Sequence, residues 1–312
     1  MSNSAVWFAD YAEFIPDFAA FCDSLYVEPT CCLRVNTLRT TPAIVADMLR
    51  QENYDVQPSP LSDDLLLVEN LTHPGTLRGA LMGYYYSQAL TSALASLALD
   101  PQPGELICDL CAAPGSKTSH IAQLMQDQGL IVANDRHGKR LSMLEFNLKR
   151  LGITNTVTTC YPGQSFPLRH KFQRVLVDAP CSGEGNYRWD HKGRLRHRLR
   201  SSGNLPDVQR QLLLRGYDLL VPGGTLIYAT CTYNPVENES VIQTLLEARP
   251  ATIEPIAHNL PHASGLKTWK AHTYDERIQH CWRLYPHTSH SVGFFLARIR
   301  AGPPASDDPQ LF

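Results

Sequence analysis

The stretch from Leu106 to Thr118 constrains the fold of this chain more than any other. It combines a short apolar run, a group of small residues with a Pro-Gly pair, and the start of a helix near Ser116. A strand, a tight turn and a helix N-terminus so close together are typical of a parallel α/β sheet, where such a turn faces a polar ligand. The stretch has no G-x-G-x-x-G, and Ser116 separates Gly115 from Lys117, so it also lacks the adjacent Gly-Lys of a P-loop. The sequence therefore predicts a ligand without a pyrophosphate.

From residue 76 onward, apolar runs alternate with helical segments, which predicts a parallel sheet covered on both faces. The predicted strands are Leu106–Leu110, Leu130–Asn134, Thr156–Cys160, Arg174–Val177, Thr225–Ala229, Ile253–Ile256 and Phe294–Ile299. The predicted helices are Ala89–Leu99, one from Ser116, Lys139–Leu151, Asp207–Leu220, and one capped by Asn234 with Pro235 and Glu237 in its first turn. Five parallel strands followed by two late ones predict a Rossmann-like methyltransferase fold, in which the final strand is antiparallel.

Residues 1–75 show a different pattern and predict a small N-terminal α+β accessory domain. Val6–Tyr26 is rich in aromatic residues and is predicted to be helical, and Pro42–Glu52 is an amphipathic helix. Short strands are predicted at Cys32–Val35, Asp55–Gln57 and Leu65–Val68. Pro74-Gly75 marks the predicted boundary to a catalytic domain at 76–302, and residues 303–312 are predicted to be a disordered tail.

The composition excludes several classes of protein. A chain of 312 residues is long enough for one α/β domain plus a small accessory one. The net charge is −2, so a polyanionic partner must bind a local basic patch. Since we find neither a signal peptide nor an apolar run of roughly 18 residues, we expect a cytoplasmic protein, and we expect a monomer. The nine cysteines are scattered, without the spacing of a disulfide framework or a zinc site.

Polar and thiol side chains follow four of the predicted strands. They are Cys111, Asp135, Asp178-Ala179-Pro180-Cys181 and Thr230-Cys231-Thr232. Because the carboxyl ends of the strands in an open α/β sheet line one crevice, we expect three cysteines and two aspartates to meet at one site.

Three segments of the chain resemble the motifs of the Nop/Sun-type (RsmB/Nop) family of RNA cytosine-5 methyltransferases, which use S-adenosylmethionine. The segments are Asp109–Thr118, Asp178–Gly183, and Thr230-Cys231-Thr232 with Pro235, Glu237 and Asn238. Leu33–Thr37 resembles the family's entry to its N-terminal domain, and Gly293–Ala297 its last strand. The resemblance runs from about Cys32 to Arg300 and is specific, because three motifs occur in the right order at compatible spacing. It implies an S-adenosylmethionine-dependent enzyme that acts on rRNA or tRNA.

The chemistry explains the residue types at the predicted catalytic site. Cytosine carbon-5 becomes nucleophilic only after a group adds to carbon-6, and a cysteine thiolate suits this addition because it can leave again. By resemblance, Cys231 is the nucleophile, Cys181 assists product release, Asp178 contacts the cytosine ring, and Lys117 helps to hold or activate the base. The ordinary alternatives are a small buried hydrophobe for each cysteine, a cap for Asp178 and a solvated helix residue for Lys117.

The resemblance also implies where S-adenosylmethionine binds. Asp135 is expected to accept from the ribose hydroxyls, and Pro162 stands where the family has an adenine-contacting Asp. We therefore expect a backbone carbonyl or Gln164 to meet the adenine, or else a reduced affinity for the cofactor. The other predicted contacts are Cys111, Ala112, Ala113, Pro114, Gly115, Ser116, Lys117, Arg140 and Asp178.

The segment Tyr187–Arg200 is a basic loop in a slightly acidic protein. Its cations are Arg188, Lys192, Arg194, Arg196, Arg198 and Arg200. Beside the predicted crevice, these cations are candidates for binding RNA phosphates together with the N-terminal domain, and Tyr187 and Trp189 are candidates for stacking on bases. The alternative is a plain solvated loop.

Three functional hypotheses follow. The first is methylation of cytosine carbon-5 in rRNA or tRNA through a covalent Cys231–cytosine intermediate. The second places the same core on DNA or a small molecule, but DNA cytosine-5 enzymes take their nucleophile from the Pro-Cys after the fourth strand, so Cys231 favours RNA. The third is a non-catalytic RNA-binding or assembly factor on a methyltransferase scaffold. The combined presence of Cys231, Cys181, Asp178 and Lys117 argues against it.

Overall fold

The computed structural model describes residues 3–196 and 203–303, and its N-terminal part contains an antiparallel four-stranded sheet of order β2-β3-β1-β4. The strands are β1 (Cys31–Val35), β2 (Val56–Pro58), β3 (Leu65–Val68) and β4 (Tyr85–Ser87). Helix α3 (Pro42–Gln51) packs on this sheet through Val45 and Leu49. The predicted β-α-β-β order is confirmed. Since β4 lies after Pro74-Gly75, the sheet extends past residue 75, and the domain division there stays a prediction.

The aromatic N-terminal segment is not one helix, so that prediction is wrong. It forms α1 (Asn3–Trp7), a 3-10 turn at Ala9–Tyr11 and α2 (Phe18–Ser24). Pro16 disfavours helical backbone at the residue before it, and Asp17 caps α2 by accepting from the Ala20 amide at 3.2 Å. The rings of Phe8 and Phe21 pack on Tyr233, which follows the Cys231 motif. The start of the chain therefore packs against the predicted catalytic domain.

The larger sheet has nine strands, and its parallel part runs in the order β7-β6-β5-β8-β9. These strands are β5 (Leu106–Asp109), β6 (Leu130–Asn134), β7 (Thr156–Thr159), β8 (Phe172–Asp178) and β9 (Leu220–Thr230). The strand order reverses at β5, between β6 and β8. In such sheets ligands bind over the carboxyl ends of the strands at the reversal, so this topology positions the site.

The remaining strands of this sheet lie beyond β9. β15 (Phe294–Ala301) is antiparallel to β9, and both β10 (Ala251–Glu254) and β14 (Trp282–Leu284) pair with β15. The antiparallel last strand confirms the predicted Rossmann-like methyltransferase fold. β14, with β11 (Ala263–Ser264) beside it, was not predicted, because three consecutive buried residues give no alternating pattern. A separate hairpin consists of β12 (Thr268–Trp269) and β13 (His272–Thr273).

Helices cover both faces of the larger sheet. They are α5 (Leu90–Leu99), α6 (Ser116–Leu124), α7 (Gly138–Leu151), α8 (Leu205–Asp218) and α9 (Glu239–Ala248). Of the two remaining short helices, α4 (Arg78–Leu81) packs with the N-terminal sheet and α10 (Pro286–Ser289) packs against α2. The apolar sides of α8 and α9 belong to one core cluster, and those of α5 and α6 to another. Within the described residues, no helix combines the length and the apolar character that a bilayer span requires.

Helix α9 begins four residues later than the capping pattern predicts. The helix starts at Glu239, and the residues from Pro235 to Asn238 form turns. The Asn234 side chain accepts from the Val236 amide at 3.0 Å instead of capping the helix. Glu237 is fully buried and is hydrogen-bonded to another loop, so tertiary contacts override the local capping signal.

Candidate active site

Lys117 and Asp178 form an ion pair at the centre of the crevice. Asp178 ends β8, and Lys117 is the second residue of α6, which follows the loop after β5. The Lys117 Nζ lies 2.7 Å from the Asp178 Oδ2 and 5.5 Å from the centroid of the Phe294 ring. Burial is the largest single influence on the pKa of Lys117 and lowers it, but the charge and hydrogen bond of Asp178, together with the nearby Cys231 and Asp109, leave that pKa raised. The crevice therefore holds a positive and a negative charge side by side.

The two predicted catalytic cysteines are neighbours in space. The Cys181 Sγ lies 3.4 Å from the Cys231 Sγ; Cys181 is buried and Cys231 is half-buried. The pKa of Cys231 is lowered because the Cys181 S–H can donate to its thiolate, and Lys117 and Asn186 act in the same direction. The same contact, together with burial, raises the pKa of Cys181. The pair therefore favours a thiolate at Cys231 and a protonated thiol at Cys181.

Glu237 ties together the loops that carry the two cysteines. Its Oε2 accepts from the Ser182 amide and from the Gln209 Nε2, each at 2.9 Å. Gln209 also donates to the Pro180 carbonyl, and the Gly185 amide donates to the Cys231 carbonyl at 2.9 Å. These bonds fix the distance between the two sulfur atoms.

Glu184 is a half-buried carboxylate beside the two cysteines, and it was not predicted from the sequence. Its Oε2 accepts from the Thr232 hydroxyl at 2.9 Å and from the Tyr233 amide at 3.3 Å. The Tyr11 hydroxyl donates to its Oε1 at 3.2 Å. Burial raises the pKa of Glu184 to about 7. Its position directly after the Asp178–Gly183 motif was the signal that could have identified it.

Asp109, the last residue of β5, fixes the loop that follows this strand through hydrogen bonds. This buried carboxylate accepts from the Thr118 hydroxyl at 2.7 Å and from the Cys111 amide at 3.4 Å. Burial raises the pKa of Asp109 to about 7. Gly115 has a φ of +103°, and an added Cβ would lie 2.7 Å from Leu144, so the turn requires glycine. The predicted segment Cys111–Lys117 thus forms a fixed turn into α6.

Asp135 and Arg140 meet at the end of β6, next to this loop. The Asp135 carboxylate is buried; it accepts from the His137 amide at 2.9 Å and lies 2.9 Å from the Arg140 Nη1. Arg140 also donates to the Ala113 carbonyl. The structure therefore brings both predicted cofactor residues to the same side of the crevice.

Asn134 organises the end of the crevice where the adenine was predicted. Its buried amide donates to the Leu110 and Tyr161 carbonyls at 3.1 and 3.0 Å and accepts from the Tyr161 amide at 2.9 Å. Pro162 is exposed in the turn that Asn134 holds, and Gln164 is half-buried in the 3-10 turn Gly163–Ser165. Asn134 was not predicted from the sequence to belong to the site, although it directly precedes Asp135, the expected ribose contact.

Part of the basic-loop prediction is wrong. Arg188, Tyr187 and Trp189 are each 4% exposed. The Arg188 guanidinium donates to the carbonyls of Gly185, Tyr187 and Ser291, and both rings pack in the cluster around Phe8. These three side chains are therefore part of the core and do not form the exposed basic and aromatic surface that was predicted. The helical N-terminal segment covers them, and a sequence pattern could not show that contact.

The later cations of the loop are exposed as expected. Lys192, Arg194 and Arg196 lie on the surface; Arg194 pairs with Asp190 at 2.8 Å and Arg196 with Glu28. Arg198, Arg200 and the tail from residue 304 lie outside the described residues. Across residues 3–196 and 203–303, no three His, Cys, Asp or Glu side chains are grouped as metal ligands are.

Comparison with known proteins identifies the family. Residues 96–300 match the family model described as 16S rRNA methyltransferase RsmB/F. The chain belongs to this family. The resemblance noted in the sequence is therefore confirmed.

Curated relatives align over most of the chain. It is 34% identical over 92% of its length to the 28S rRNA (cytosine-C(5))-methyltransferase of Mus musculus, but it spans only 37% of that protein. It is 32% identical to the tRNA (cytosine(49)-C(5))-methyltransferase of Pyrococcus abyssi, covering 92% of this chain and 93% of the relative. It is 34% identical to the ribosomal RNA small subunit methyltransferase F of Shewanella amazonensis, of which it spans 63%.

Solved structures agree with the fold. A methyltransferase homolog from Pyrococcus horikoshii superimposes with a TM-score of 0.82 at 30% identity, covering 96% of this chain and 95% of the other. NSun6 from the same organism, solved with SFG, gives a TM-score of 0.79 at 22% identity, covering 91% and 94% of the two chains. The second likeness concerns the fold alone.

Proposed function

We propose that this protein transfers a methyl group from S-adenosylmethionine to carbon-5 of a cytosine in rRNA or tRNA. The observation that carries the proposal is the Cys181–Cys231 pair, with sulfurs 3.4 Å apart beside the Lys117–Asp178 ion pair at the carboxyl edge of the sheet. The relatives, which include rRNA and tRNA cytosine-C5 methyltransferases, support the same reaction.

The residues around the crevice fit S-adenosylmethionine. Asp135 supplies a carboxylate for the ribose hydroxyls, and the N-terminus of α6 offers amide groups to the methionine carboxylate. No Gly-rich pyrophosphate loop is present in the sequence, and this cofactor needs none. Asn134 and the Tyr161–Pro162 turn border the adenine end. When bound, S-adenosylmethionine supplies an electrophilic methyl group.

In the proposed reaction, the Cys231 thiolate adds to cytosine carbon-6. A carbon–sulfur bond forms, and the electron pair of the carbon-5–carbon-6 double bond becomes available at carbon-5 for bonding to the methyl group. Asp178 and Lys117 hold the pyrimidine N3 edge and stabilise the charge that develops on the ring. Glu237 and Glu184, which fix the Cys181 and Cys231 loops, act as positioning residues.

Cys181 acts in the release step. After methyl transfer, carbon-5 gives its proton to solvent water, and the electron pair of that carbon–hydrogen bond re-forms the carbon-5–carbon-6 double bond. The bond between carbon-6 and Cys231 breaks, and its electron pair returns to Cys231 as a thiolate. The Cys181 thiol, 3.4 Å away, stabilises that leaving thiolate by donating its S–H. The opposite assignment, with Cys181 as nucleophile, is disfavoured because Cys181 is buried and its pKa is raised.

Bisulfite sequencing of total RNA with and without this gene tests the reaction and finds the target. We expect loss of methylation at one or a few cytosines in rRNA or tRNA, restored by the wild-type gene and not by a Cys231→Ala gene. An unchanged RNA methylation map would favour the non-catalytic assembly factor.

A further inference from the structure

A groove between α4 and α7 carries apolar side chains that neither a core cluster nor the proposed reaction uses. Phe146 on α7 is 66% exposed, and Leu81 on α4 is 69% exposed. Tyr86, half-buried on β4, lines the groove between them. The groove has a volume of about 340 Å³, within the range of roughly 300–1,000 Å³ that is usual for ligand sites.

The groove has a cationic and aromatic character. The guanidinium carbons of Arg34 and Arg150 lie 5.5 and 5.7 Å from the centroid of the Tyr86 ring. Arg150 lines the groove, and none of the described lining residues is acidic. Lys149, next to Arg150, and Arg78 at the start of α4 are exposed. An anionic occupant with a flat apolar part fits this surface better than a cationic or purely aliphatic one.

The groove borders the loop assigned to the cofactor. Asn147, which lines the groove, donates to the Pro114 carbonyl at 3.0 Å. Arg34, stacked over Tyr86, donates to the Ser116 carbonyl at 2.7 Å. The groove is therefore connected by hydrogen bonds to the Cys111–Lys117 loop, whose Lys117 pairs with Asp178 in the crevice.

We propose that this groove seats an unpaired base of the substrate RNA that flanks the target cytosine. The inference rests on the proposed function, which supplies RNA as the substrate. Single-stranded bases are bound by stacking on aromatic rings and guanidinium planes, and the backbone phosphates by nearby cations. Phe146 supplies the exposed ring and Tyr86 the second aromatic side chain, and the Arg150 guanidinium that lines the groove supplies the cation.

Substitution of Phe146 tests this proposal without disturbing the core, because its side chain is exposed. The probe is a fluorescein-labelled single-stranded oligoribonucleotide of mixed sequence containing cytosines, measured beside its fully paired duplex. Phe146→Ala should weaken single-strand binding by about tenfold, whereas Phe146→Trp should retain it, because any aromatic ring can stack. The salt dependence of binding should not change, since stacking releases no counterions. Leu168→Ala, at a site 43% exposed outside the groove, is the matched control.

The proposal would be overturned if Phe146→Ala bound single-stranded RNA as tightly as wild type. It would also be overturned if wild type were a dimer and Phe146→Ala a monomer, because the groove would then be a self-association surface. A separate assay with radiolabelled S-adenosylmethionine distinguishes failure of the proposed function. If wild type transfers no methyl to RNA while Phe146→Ala still weakens RNA binding, the methylation proposal fails and the groove remains supported as an RNA site.

Discussion

At the scale of single residues, the crevice concentrates ionisable groups whose burial changes their proton affinity. Burial raises the pKa of both Asp109 and Glu184 to about 7, whereas the contact with Cys181 lowers the pKa of Cys231. The charge state of the site near neutral pH therefore depends on these neighbours and not on the usual pKa values of the groups.

Glu184→Gln should change how stability depends on pH. The pKa of Glu184 is about 7 in the folded protein against an ordinary value of 4.5, so the folded state binds this proton more tightly. The contribution of Glu184 to the free energy of unfolding should then fall as the pH rises from about 4.5 through about 7. Urea unfolding at about pH 5 and about pH 8 should show a decline smaller by roughly 1–3 kcal/mol in Glu184→Gln. As the control, Glu145→Gln, at an exposed carboxylate, should show the same decline as wild type. If Glu184→Gln also declined as much as wild type, folding would not raise the pKa of Glu184.

Asp135→Ala should weaken S-adenosylmethionine binding more than Gln164→Ala. The ribose contact of a carboxylate is a charge-assisted hydrogen bond, worth roughly 1.5–3 kcal/mol, against roughly 0.5–1.5 kcal/mol for a neutral amide. Titration calorimetry measures both affinities, with the exposed Glu145→Ala as control. The reverse order would mean that the ribose and adenine ends of the site have been exchanged.

Single site residues were predictable where chemistry and chain position coincide. Cys231, Asp178 and Asp135 each follow a parallel strand, and the topology of the sheet brings such positions together whatever the details of packing. Glu184, Glu237 and Asn134 were missed or misassigned because their roles depend on contacts with distant segments, such as the bond from Gln209 to Glu237.

At the scale of elements, the basic loop shows how tertiary contacts divide a continuous sequence pattern. Its first part, Tyr187 to Trp189, is buried against the N-terminal helices, while the side chains of Lys192, Arg194 and Arg196 are exposed. An isolated bridge between Trp189 and Leu195 closes the loop on itself. A run of cations predicts a charged surface, but only the fold shows which of them face solvent.

The double variant Arg194→Ala/Arg196→Ala should lower RNA affinity and flatten its salt dependence. Removing one cation that binds a phosphate should reduce the slope of log affinity against log salt by about 0.7 for single-stranded RNA. Affinity for S-adenosylmethionine should stay at the wild-type value. Filter binding at several salt concentrations measures the slope, and Arg210→Ala/Lys270→Ala, which removes two other cations held in ion pairs, is the control. A wild-type slope in the loop variant would identify the loop as a plain solvated surface.

At the scale of the whole molecule, Arg34 joins the N-terminal sheet to helix α6, which packs on the larger sheet. Its buried guanidinium donates to the Ser116 carbonyl and the Ser119 hydroxyl, each at 2.7 Å, and to Gln88 at 3.0 Å. Ser116 and Ser119 lie in the first turn of α6, beside Lys117. The N-terminal sheet is therefore part of the support of the active site, which the predicted separation at residue 75 did not suggest.

Arg34→Met should weaken this junction. Removing the guanidinium leaves buried acceptors without a donor, so the free energy of unfolding should fall by about 2–4 kcal/mol, and S-adenosylmethionine affinity should fall with it. Arg39→Met provides the comparison, since Arg39 is exposed and donates to the Met82 carbonyl, which directly follows α4. Equal stabilities of the two variants would show that the junction does not depend on Arg34.

The parallel sheet and the crevice followed from the alternation of strands and helices, whereas the joints between the parts did not. β4 contributes three residues to the N-terminal sheet, and β14 three to the larger one, so neither is long enough to give a periodic signal. The packing of Phe8 and Phe21 on Tyr233 joins segments that are far apart in the sequence. No local pattern encodes such a contact.

The central claim is that Cys231 attacks the cytosine and that Cys181 is required for product release but not for methyl transfer. Denaturing gel electrophoresis of Cys231→Ala and Cys181→Ala after incubation with S-adenosylmethionine and substrate RNA tests it most directly. Because blocking a late step traps an intermediate and blocking an early step prevents it, Cys181→Ala should carry a methylated RNA adduct that protease removes. Cys231→Ala should form no adduct and transfer no methyl group. An adduct in Cys231→Ala and none in Cys181→Ala would contradict the account and assign the nucleophile to the Pro-Cys motif.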